Sequence, residues 1–454
     1  MNSRLTFTWE QAKQMIEEAI FAHFGESLKE IQLNLLQDSW DGLNYQQISQ
    51  KHHLSVNYLR GDVGPKLWHK LSIALKKDVT KTNFKSVLEQ IHQNQFQIES
   101  SSFSIASIPL TDFPFPEGSV PPNSPFYQER GIESFCYQVI RQPGALLQVR
   151  SPQRMGKTSL LKKILDQAKL ESYQTLYLDL WRVEPPILVN WHHFLQWFCL
   201  TLAKELHLED PLFSDWDTSI LSSSDHCKNY FENYILPSLE QPLVLALDDL
   251  DQIFLKEEMI HFFLRMIRSW HEEAKSSSSW QKLRLVIAYS TATIRFWQID
   301  PTLLSQGVLV ELGDFHKQQI DNLVRIHQLS FSDEKINSLM AMLGGHPYLI
   351  RMALYQLKTT ALSLEDFLQE ISISGGIYHH YLDQQIQIIK DYPELSMAFK
   401  RILAADHPIL LNQAIAYRLW SLGLVKKQGH KVMIKYHLYH HYFKNLSYFI
   451  PAMT

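Results

Sequence analysis

The segment LLQVRSPQRMGKTSLLKKIL, residues 146–165, constrains the fold more than any other part of the chain. It opens with an apolar run typical of a strand, passes through a polar turn, and continues with apolar residues at helical spacing. Gly156 lets the backbone approach phosphate oxygens, Lys157 can reach the terminal phosphates, and the Thr158 hydroxyl can hold Mg²⁺. Ser151 stands where such loops usually have glycine, at a position that only begins the loop. The segment predicts a phosphate-binding loop, with the start of an ordinary helix as the alternative.

A second apolar segment, PLVLALDDLDQIF (residues 242–254), ends in the two carboxylates of Asp248 and Asp249. In phosphate-loop enzymes the first acid holds Mg²⁺ through water and the second orients the attacking water. A buried strand with a solvated acidic end would explain the position of neither this pair nor the Gly-Lys-Thr loop. Together the two segments predict a site for ATP or ADP with Mg²⁺, in which Asp249 is catalytic and Asp248 and Thr158 hold the metal.

Strand-like runs alternate with helical ones between residues 127 and 314, which predicts an α/β core with a parallel sheet. Several runs are apolar throughout, as strands covered on both faces must be. The extra run at 175–180 lies between the loop strand and the acidic strand and indicates the branch that inserts a strand, as AAA-type ATPases do. The predicted strands are 145–149, 175–180, 243–247, 283–288 and 308–312, and the predicted helices include 191–206 and 257–275.

Two further catalytic roles have candidates in this part of the sequence. The polar end of the fourth run offers Ser290 and Thr291 as residues that sense the terminal phosphate, so Ser290 is predicted to be catalytic. A simple cap of a helix or turn is the alternative for both. For an arginine finger, Arg284 and Arg295 are the nearest candidates, and either could equally be a surface charge.

The composition bounds the class of protein. A chain of 454 residues is too long for one core, and its formal net charge of −4 argues against coating nucleic acid along the whole surface. Three widely spaced cysteines fit a reducing compartment, and fit neither a zinc cluster nor a disulfide framework. The sequence shows no apolar leader and no run of about 18 apolar residues. We therefore expect a soluble, cytoplasmic protein without a membrane partner.

Changes of pattern along the chain predict five parts. Helical periodicity with almost no proline is followed by a segment that gathers serines and prolines, then by the α/β pattern and a helical stretch. A strand pair at 424–436, with Gln428-Gly429 at its turn, lies near the end. The predicted parts are a helix-turn-helix module at 1–95, a linker at 96–124, the P-loop core at 125–315, a helical lid at 316–375 and a winged helix at 376–454.

The N-terminal module has the plan of a helix-turn-helix. A helix at 45–52 is followed by a turn at His53, and Ser55 then caps the helix that would enter a DNA groove. Gly64-Pro65 falls inside that helix, and a proline there should break or kink it. The module is close to charge-neutral, although four lysines could form a basic stripe: Lys76, Lys77, Lys81 and Lys85. The pattern favours a protein adaptor over a DNA-binding module.

With these motifs together, the chain resembles the AAA-like domain family found widely in cyanobacteria, which is related to the STAND class of signalling and conflict-system ATPases. The resemblance extends from about residue 123 to the C-terminus. It is carried by NSPFYQERGIE, SPQRMGKTSL, LVLALDDLDQIF, SWHEEAK with WQKLRLV, and LMAMLGGHPYLIRMALYQL. The N-terminal part resembles the helix-turn-helix module named for its association with vWA and MoxR-type proteins.

The resemblance implies roles for particular positions. In STAND proteins an aromatic residue and an arginine ahead of the core line the base pocket, and a G-x-P signature on the lid places proline against the adenine. A winged helix normally follows, and LNQAIAYRLWSLGLVKKQGHKVMIKYHLYHHYF fits it. The nucleotide-binding residues predicted in this way and from the loop are Phe126, Tyr127, Arg130, Gln153, Arg154, Met155, Gly156, Lys157, Thr158, Ser159 and Pro347.

Departures from the family pattern shape the predicted function. Asp249 stands where relatives commonly have glutamate, and no arginine finger is evident, so we expect slow or no hydrolysis. The predicted function is an ATP-binding STAND/AAA-like switch whose N-terminal module binds an unidentified protein partner, with ATP-dependent oligomerisation as a further candidate. A nucleotide-dependent DNA-binding regulator is the alternative. A scaffold with a degenerate site is a third hypothesis, against which the intact Lys157, Thr158 and Asp248 count.

Overall fold

The computed structural model describes most of the chain in two compact units, Met1–Ala106 and Ser107–Thr454. The described residues are 28–89, 113–208, 221–294 and 305–446, without 76, 78, 255, 256 and 361, together with single residues between 9 and 20 and residue 216. Within them, no helix combines the length and the apolar character that crossing a bilayer requires.

The first unit is helical and contains the predicted helix-turn-helix. Its helices are α1 (Glu30–Trp40), α2 (Tyr45–His52), α3 (Val56–Tyr58) and α4 (Gly64–Leu75), with a π-helical turn at Leu59–Val63 between the last two. The Asn44 side chain caps α2, which ends at His53 in a left-handed conformation (φ 54°). The Ser55 hydroxyl accepts from the Tyr58 amide and caps α3, as predicted. The two helices and the turn predicted from the sequence are therefore confirmed.

The predicted break at Gly64-Pro65 is wrong, because the backbone stays helical from residue 56 to residue 75. The π-helical turn brings the Gly64 amide to the carbonyl oxygen of Leu59, five residues earlier. This change of hydrogen-bond register just before Pro65 accommodates a ring that would clash with the regular helical pattern. Local propensity alone does not reveal such a π-turn.

Two of the four lysines of the predicted basic stripe make contacts within the unit. Lys81 donates to the Leu43 carbonyl, and burial lowers the pKa of its ammonium. The Lys85 ammonium lies 4.5 Å from the centre of the Trp40 ring. Lys76 lies outside the described residues.

The second unit is built around a five-stranded parallel sheet with the order β2-β3-β4-β1-β5. The strands are β1 (Leu146–Ser151), β2 (Gln174–Asp179), β3 (Leu243–Asp248), β4 (Leu283–Ser290) and β5 (Val308–Glu311). All five predicted strands are confirmed, and β3 and β4 are buried along their whole length. As predicted, one strand lies between the strand that leads into the phosphate loop (β1) and the strand that ends in Asp248 (β3), but this strand is β4. The run at 175–180, which lies between them in sequence, forms the edge strand β2.

Helices cover both faces of this sheet. They are α5 (Glu133–Arg141), α6 (Lys157–Leu170), α7 (Trp191–Glu205), α8 (Ser223–Tyr230), α9 (Leu236–Ser238), α10 (Asp251–Phe254), α11 (Glu257–Glu273) and α12 (Thr291–Ile294). On one face α5 and α6 pack on Val149, Val244 and Val286. On the other face α7 and α11 pack on the alternate strand residues, among them Leu245 and Ile287. This alternation explains why the strands read as continuous apolar runs.

The rest of the unit combines helices with a small antiparallel sheet. Its elements are α13 (Lys317–Ile326), α14 (Asp333–Leu343), α15 (Pro347–Thr359), α16 (Leu364–Ser374), α17 (His379–Lys390), α18 (Pro393–Leu403), β6 (Ile409–Leu410), α19 (Gln413–Ser421), β7 (Val425–Gln428), β8 (Lys431–Ile434) and α20 (His437–Leu446). Residues of the predicted lid and of the predicted winged helix share one hydrophobic cluster. In the hairpin, Gln428 pairs with Lys431, so the turn is Gly429-His430 and lies one residue later than predicted.

Residues 113–124, which we call the strap, are packed against the second unit. The Phe113 ring stacks on His327 next to α13, with the ring centres 5.9 Å apart. At the other end, the Val120 amide donates to the Ser159 hydroxyl of α6 at 2.9 Å, and Lys162 donates to the Ser119 hydroxyl at 2.7 Å. The strap thus belongs to the folded unit and not to the predicted linker 96–124, of which residues 96–112 lie outside the described residues.

Candidate functional site

The candidate site lies where the parallel strands end. The loop from β1 to α6 passes the last residues of β4 and β3, because Ser151 pairs with Ser290 and Asp179 pairs with Asp248 at this edge. Gly156 has a left-handed backbone (φ 92°), and a Cβ placed there would lie 3.0 Å from the guanidinium of Arg130. Glycine is therefore required at this point of the loop for both its conformation and its small size.

Lys157 begins α6 and turns its side chain back into the loop. Its ammonium donates to the carbonyl oxygens of Ser151 at 3.2 Å and Pro152 at 3.0 Å. Burial lowers the pKa of this ammonium, while the carboxylate of Asp251 and then that of Asp248 oppose the shift. A buried cation held only by neutral carbonyls can be transferred to an anionic ligand at little cost in desolvation.

The acidic end of β3 brings two carboxylates beside the loop. Asp248 is buried and accepts from the Tyr177 hydroxyl at 2.9 Å and from the Asp249 amide at 3.0 Å. Asp249 has a left-handed backbone (φ 52°) and lines the cavity described below. Burial, and then the charges of Asp248 and Asp251, raise the pKa of Asp249 to about 6. A carboxylate with a raised pKa is a stronger base, which suits the predicted catalytic role.

Sequence reasoning missed Asp251, the third aspartate of the DDLD run. Its two carboxylate oxygens accept from the Ser290 amide at 2.9 and 3.1 Å, which ties the end of β4 to the start of α10. The Ser290 hydroxyl in turn accepts from the Ala292 amide at 3.2 Å, the contact of a helix cap. Ser290 thus makes the cap contact that was the alternative to phosphate sensing, and Thr291 donates to the Ser421 carbonyl at 2.6 Å.

A cavity of about 930 Å³ opens beside the loop and the acidic strand. Ten of the eleven residues predicted to bind nucleotide line this cavity, and Asp249 and Asp251 line it as well. The predicted residues in its wall are Phe126, Tyr127, Arg130, Gln153, Arg154, Gly156, Lys157, Thr158, Ser159 and Pro347. Of the other predicted site residues, Met155 is buried beneath the loop, and Asp248 and Ser290 are buried at the strand ends.

The wall ahead of the sheet is built from the segment that precedes α5. The Tyr127 hydroxyl and the Arg130 amide both donate to the Glu133 carboxylate, each at 3.0 Å, and burial raises the pKa of Tyr127. The Arg130 guanidinium donates to the Met155 carbonyl at 2.6 Å and lies 4.8 Å from the centre of the Phe315 ring. Arg130 therefore ties the segment before α5 to the phosphate loop.

The opposite wall comes from the predicted lid, where Pro347 begins α15. The Arg154 guanidinium lies 4.3 Å from the centre of the Tyr348 ring and 5.4 Å from that of Tyr381. Arg351, which also lines the cavity, has a buried Nε without a hydrogen-bond partner among the described residues, and burial lowers the pKa of its guanidinium. An arginine in a cavity wall that has an unpaired Nε is suited to an anionic or hydrogen-bond-accepting ligand.

Of the two arginines predicted as candidates for an arginine finger, the structure describes only Arg284. Arg284 is buried near the amino end of β4, where it donates to the carbonyls of Ile140 at 3.2 Å and Gln281 at 2.7 Å. Ser290 lies six positions further along β4, which is a distance of about 20 Å. Arg284 is therefore neither a finger for this site nor a surface charge. Arg295 lies outside the described residues.

The oxygen atoms at this edge of the sheet fit a magnesium ion. Mg²⁺ prefers carboxylate, hydroxyl and water oxygens and is usually held by one or two carboxylates together with substrate phosphates. The Thr158 hydroxyl and the carboxylates of Asp248, Asp249 and Asp251 provide such oxygens beside the cavity. Among the residues that the structure describes, no group of three or more His, Cys, Asp or Glu forms a metal cage.

Several solved structures are similar to this chain. A Walker-type ATPase of Pyrococcus abyssi is similar in structure over 73% of this chain and 100% of its own, with 12% identity and a TM-score of 0.48. The ORC2 protein of Aeropyrum pernix (14% identity, TM-score 0.43) matches over 74% of this chain and 98% of its own. DnaA of Aquifex aeolicus (14% identity, TM-score 0.35) matches over 65% of this chain and 79% of its own. A comparison with curated protein sequences gave no match.

Family comparison identifies both units. Residues 7–91 match the N-terminal helix-turn-helix of vWA-MoxR associated proteins. Residues 115–445, most of the chain, match the AAA-like domain. With its P-loop, its acidic strand and its parallel sheet, this chain belongs to the AAA-like domain family.

Proposed function

We propose that the chain is a nucleotide-controlled switch that binds ATP with Mg²⁺ and hydrolyses it slowly. The proposal rests on the observation that Lys157 and Asp249 line the same cavity as Pro347 and Arg351. A ligand in this cavity would touch the sheet and the helical lid at the same time. Different affinity for two positions of the lid is what would couple binding to a change of shape.

The side chains around the cavity suggest how a triphosphate would be held. The Lys157 ammonium would move from the carbonyls of Ser151 and Pro152 to phosphate oxygens, and the amides at the start of α6 would face the same group. Asp249 would accept a proton from the attacking water. Bound Mg²⁺ would neutralise charge on the phosphates. The oxygens of Thr158 and Asp248 would hold it, directly or through water.

Slow hydrolysis rests on Asp249. Its side chain is one methylene shorter than the glutamate common in relatives. The absence of an arginine finger, which also supported slow turnover, carries less weight, because Arg154 and Arg351 both line the cavity. We expect turnover below about 1 s⁻¹, near the low end of enzyme rates. Sustained phosphate release faster than this by the purified protein would contradict the proposed switch.

Contacts between the phosphate loop and the C-terminal part support a switch. A Cβ on Gly423 would lie 3.0 Å from the Pro152 side chain, and Thr291 at the end of β4 donates to the Ser421 carbonyl. The predicted winged helix therefore touches both sides of the loop's base. A phosphate that reshapes this loop would disturb those contacts, which is how the occupancy of the site would reach the C-terminal part in a STAND-type mechanism.

For the N-terminal module we propose a protein-adaptor role in the cytoplasm, with ATP-dependent oligomerisation as a further element of the switch. The contacts of Lys81 and Lys85 inside the module leave fewer lysines for phosphate binding. The alternative, a nucleotide-dependent DNA-binding regulator, gains support from the unbroken helical backbone at 56–75, which could enter a groove.

The direct test is isothermal titration calorimetry with ATP and Mg²⁺. Lys157→Ala should remove most of the binding, because it deletes the cation beside the phosphates. Lys169→Ala, on the same helix but exposed at its last turn, is the matched control and should bind like the wild type. Equal affinity of the wild type and Lys157→Ala would refute the proposed site.

A further inference from the structure

The C-terminal part of the chain concentrates positive charge. Between residues 400 and 446 the sequence has eight lysines and arginines and a single acidic residue, Asp406, in a chain whose formal net charge is −4. The positive residues are Lys400, Arg401, Arg418, Lys426, Lys427, Lys431, Lys435 and Lys444. A segregation of this kind points to an anionic partner.

The β7–β8 hairpin gathers part of this charge on one exposed face. Lys426 lies opposite Met433 and Gln428 lies opposite Lys431, so the side chains of Lys426 and Lys431 leave the same face of the hairpin. Both lysines are exposed, as is His430 at the turn. Neither lysine has an ion-pair partner among the described residues.

A third lysine, Lys427, lies opposite the buried Val432 and therefore leaves the other face of the hairpin, toward α19. The Lys427 ammonium lies 4.6 Å from the ring centres of both Tyr417 and Trp420. Such cation–π contacts restrict the side chain and lower the entropy that a bound anion would have to remove. We call Tyr417, Trp420, Lys426, Lys427, His430 and Lys431 the basic hairpin surface.

Nearby acidic residues do not neutralise this surface. Glu394 accepts from Arg418 at 2.7 Å, and Asp314 accepts from Lys435 at 2.9 Å and from the Tyr436 hydroxyl at 2.7 Å. Asp406, in the connection between α18 and β6, is the one remaining acid of residues 400–446. Glu394 and Asp314 therefore pair with Arg418 and Lys435, and with neither Lys426 nor Lys431.

We propose that the basic hairpin surface binds the phosphate backbone of duplex DNA. Protein interfaces are depleted in lysine at their centres, whereas DNA-binding surfaces are enriched in positive charge. A two-stranded ribbon fits the major groove of B-DNA, which is about 12 Å wide, and the deep, narrow major groove of A-form RNA excludes it. Because lysines at phosphates carry no sequence information, this binding is sequence-independent. It does not depend on the proposed nucleotide switch.

Fluorescence anisotropy of the full-length protein with a mixed-sequence DNA duplex tests the proposal over a range of salt concentrations. The wild type should bind, with an affinity that falls steeply as salt rises. In the double variant Lys426→Gln/Lys431→Gln, affinity at low salt should fall about tenfold and the slope of log K against log salt should decrease by about 2. The variant Lys426→Arg/Lys431→Arg keeps both charges and should retain binding.

Two control variants remove the same charge elsewhere. Lys169→Gln/Lys204→Gln changes exposed lysines on α6 and α7, and Lys77→Gln/Lys85→Gln changes the N-terminal module. Both should bind like the wild type. The proposal is overturned if the wild type fails to bind DNA, if the hairpin variant keeps its slope, or if either control loses as much affinity as the hairpin variant. Stronger binding to duplex RNA or to vesicles containing phosphatidylserine would also overturn it.

Discussion

Asp249 shares its surroundings with Asp248, Asp251 and Asp179, and burial together with their charges raises its pKa to about 6. In the unfolded chain the pKa of an aspartate is about 3.9. The folded state therefore binds the proton more tightly, and the free energy of unfolding falls as the pH rises from about 4 to about 6. Well above pH 6, Asp249 is ionised and the free energy of unfolding falls no further on its account. The ionised carboxylate of Asp249 therefore lowers the stability of the fold.

We expect Asp249→Asn to stabilise the protein at pH 8 and to abolish ATP hydrolysis. Removing the carboxylate ends the repulsion, and the melting temperature should rise by about 1 to 2 °C, the shift for about 1 kcal/mol in a unit as long as Ser107–Thr454. Differential scanning calorimetry at pH 8 and pH 5 measures the effect, which should shrink at pH 5. In the wild type, hydrolysis should increase with pH through about 6. A lower melting temperature of the variant at pH 8 would contradict the assignment.

Arg351 is the lid residue that sequence reasoning did not find. Its Nε is buried without a partner, and its guanidinium lies 5.6 Å from the centre of the Phe126 ring. Arg351→Ala should lower the affinity for ATP by about 10- to 100-fold, since a charged hydrogen bond contributes about 1.5–3 kcal/mol. The melting temperature should stay unchanged or rise. Arg325→Ala, an exposed arginine on α13, is the control. Calorimetry measures the affinity for ATP, and thermal denaturation measures the stability. If Arg351→Ala loses stability and keeps its affinity for ATP, the role of Arg351 is structural.

At the scale of elements, the π-turn in the first unit depends on Gly64. A Cβ there would lie 2.5 Å from the Tyr45 hydroxyl and 2.8 Å from the Leu59 carbonyl oxygen, and Trp68 holds that hydroxyl through a 3.0 Å hydrogen bond. At Gly61, three residues earlier, a Cβ would meet nothing within 4 Å. The same substitution at two nearby positions can therefore separate steric cost from helix propensity.

We expect Gly64→Ala to destabilise the N-terminal unit by about 1–3 kcal/mol, the range for overpacking. Gly61→Ala should leave it unchanged or stabilise it by up to about 1 kcal/mol, because alanine favours a helical backbone. Urea denaturation followed by tryptophan fluorescence and circular dichroism can compare the two variants. Equal stability of both would show that the π-turn does not rely on glycine.

The strap joins α6 to the predicted lid and forms part of the cavity wall through residues such as Phe115 and Val120. Phe113 anchors it and does not line the cavity. Phe113→Ala should loosen the strap, so that association and dissociation of a fluorescent ATP analogue both become about tenfold faster while the dissociation constant changes little. Phe135→Ala, an exposed ring on α5, is the control in stopped-flow measurements. Unchanged rates in Phe113→Ala would refute a gating role.

At the scale of the whole molecule, the switch predicts a change of protection on nucleotide binding. Hydrogen exchange across residues 316–446 should slow with ATP and Mg²⁺, because Lys157 and the lid residues would hold one ligand from two sides. Lys157→Ala should show no such change at the same ATP concentration. If the wild type exchanges identically with and without ATP, the proposed switch is contradicted, even if the protein binds the nucleotide.

Local patterns account for what the sequence predicts well. Gly156, Lys157 and Asp248 belong to short segments whose chemistry depends on their own neighbours, and the five strands are continuous apolar runs. Arg351 and the strap escape prediction because their roles arise from contacts between segments far apart in the chain. The break expected at Pro65 fails for another reason: a π-turn satisfies the backbone by a hydrogen-bond register that residue propensities do not encode.

The hydrophobic cluster shared by α13–α20 and the small sheet has a mechanical consequence. Elements that share a packed core turn as one rigid body, because sliding within the core would open voids. The chain passes from the parallel sheet into α13 between the end of β5 and residue 317, and Phe113, Phe126 and Ala292, which lie outside α13–α20, pack in the same cluster. We expect this body to act as a lever with its pivot near residues 312–316. A rotation of a few degrees at the nucleotide would then become a displacement that grows with distance from the pivot, and is amplified toward the β7–β8 turn.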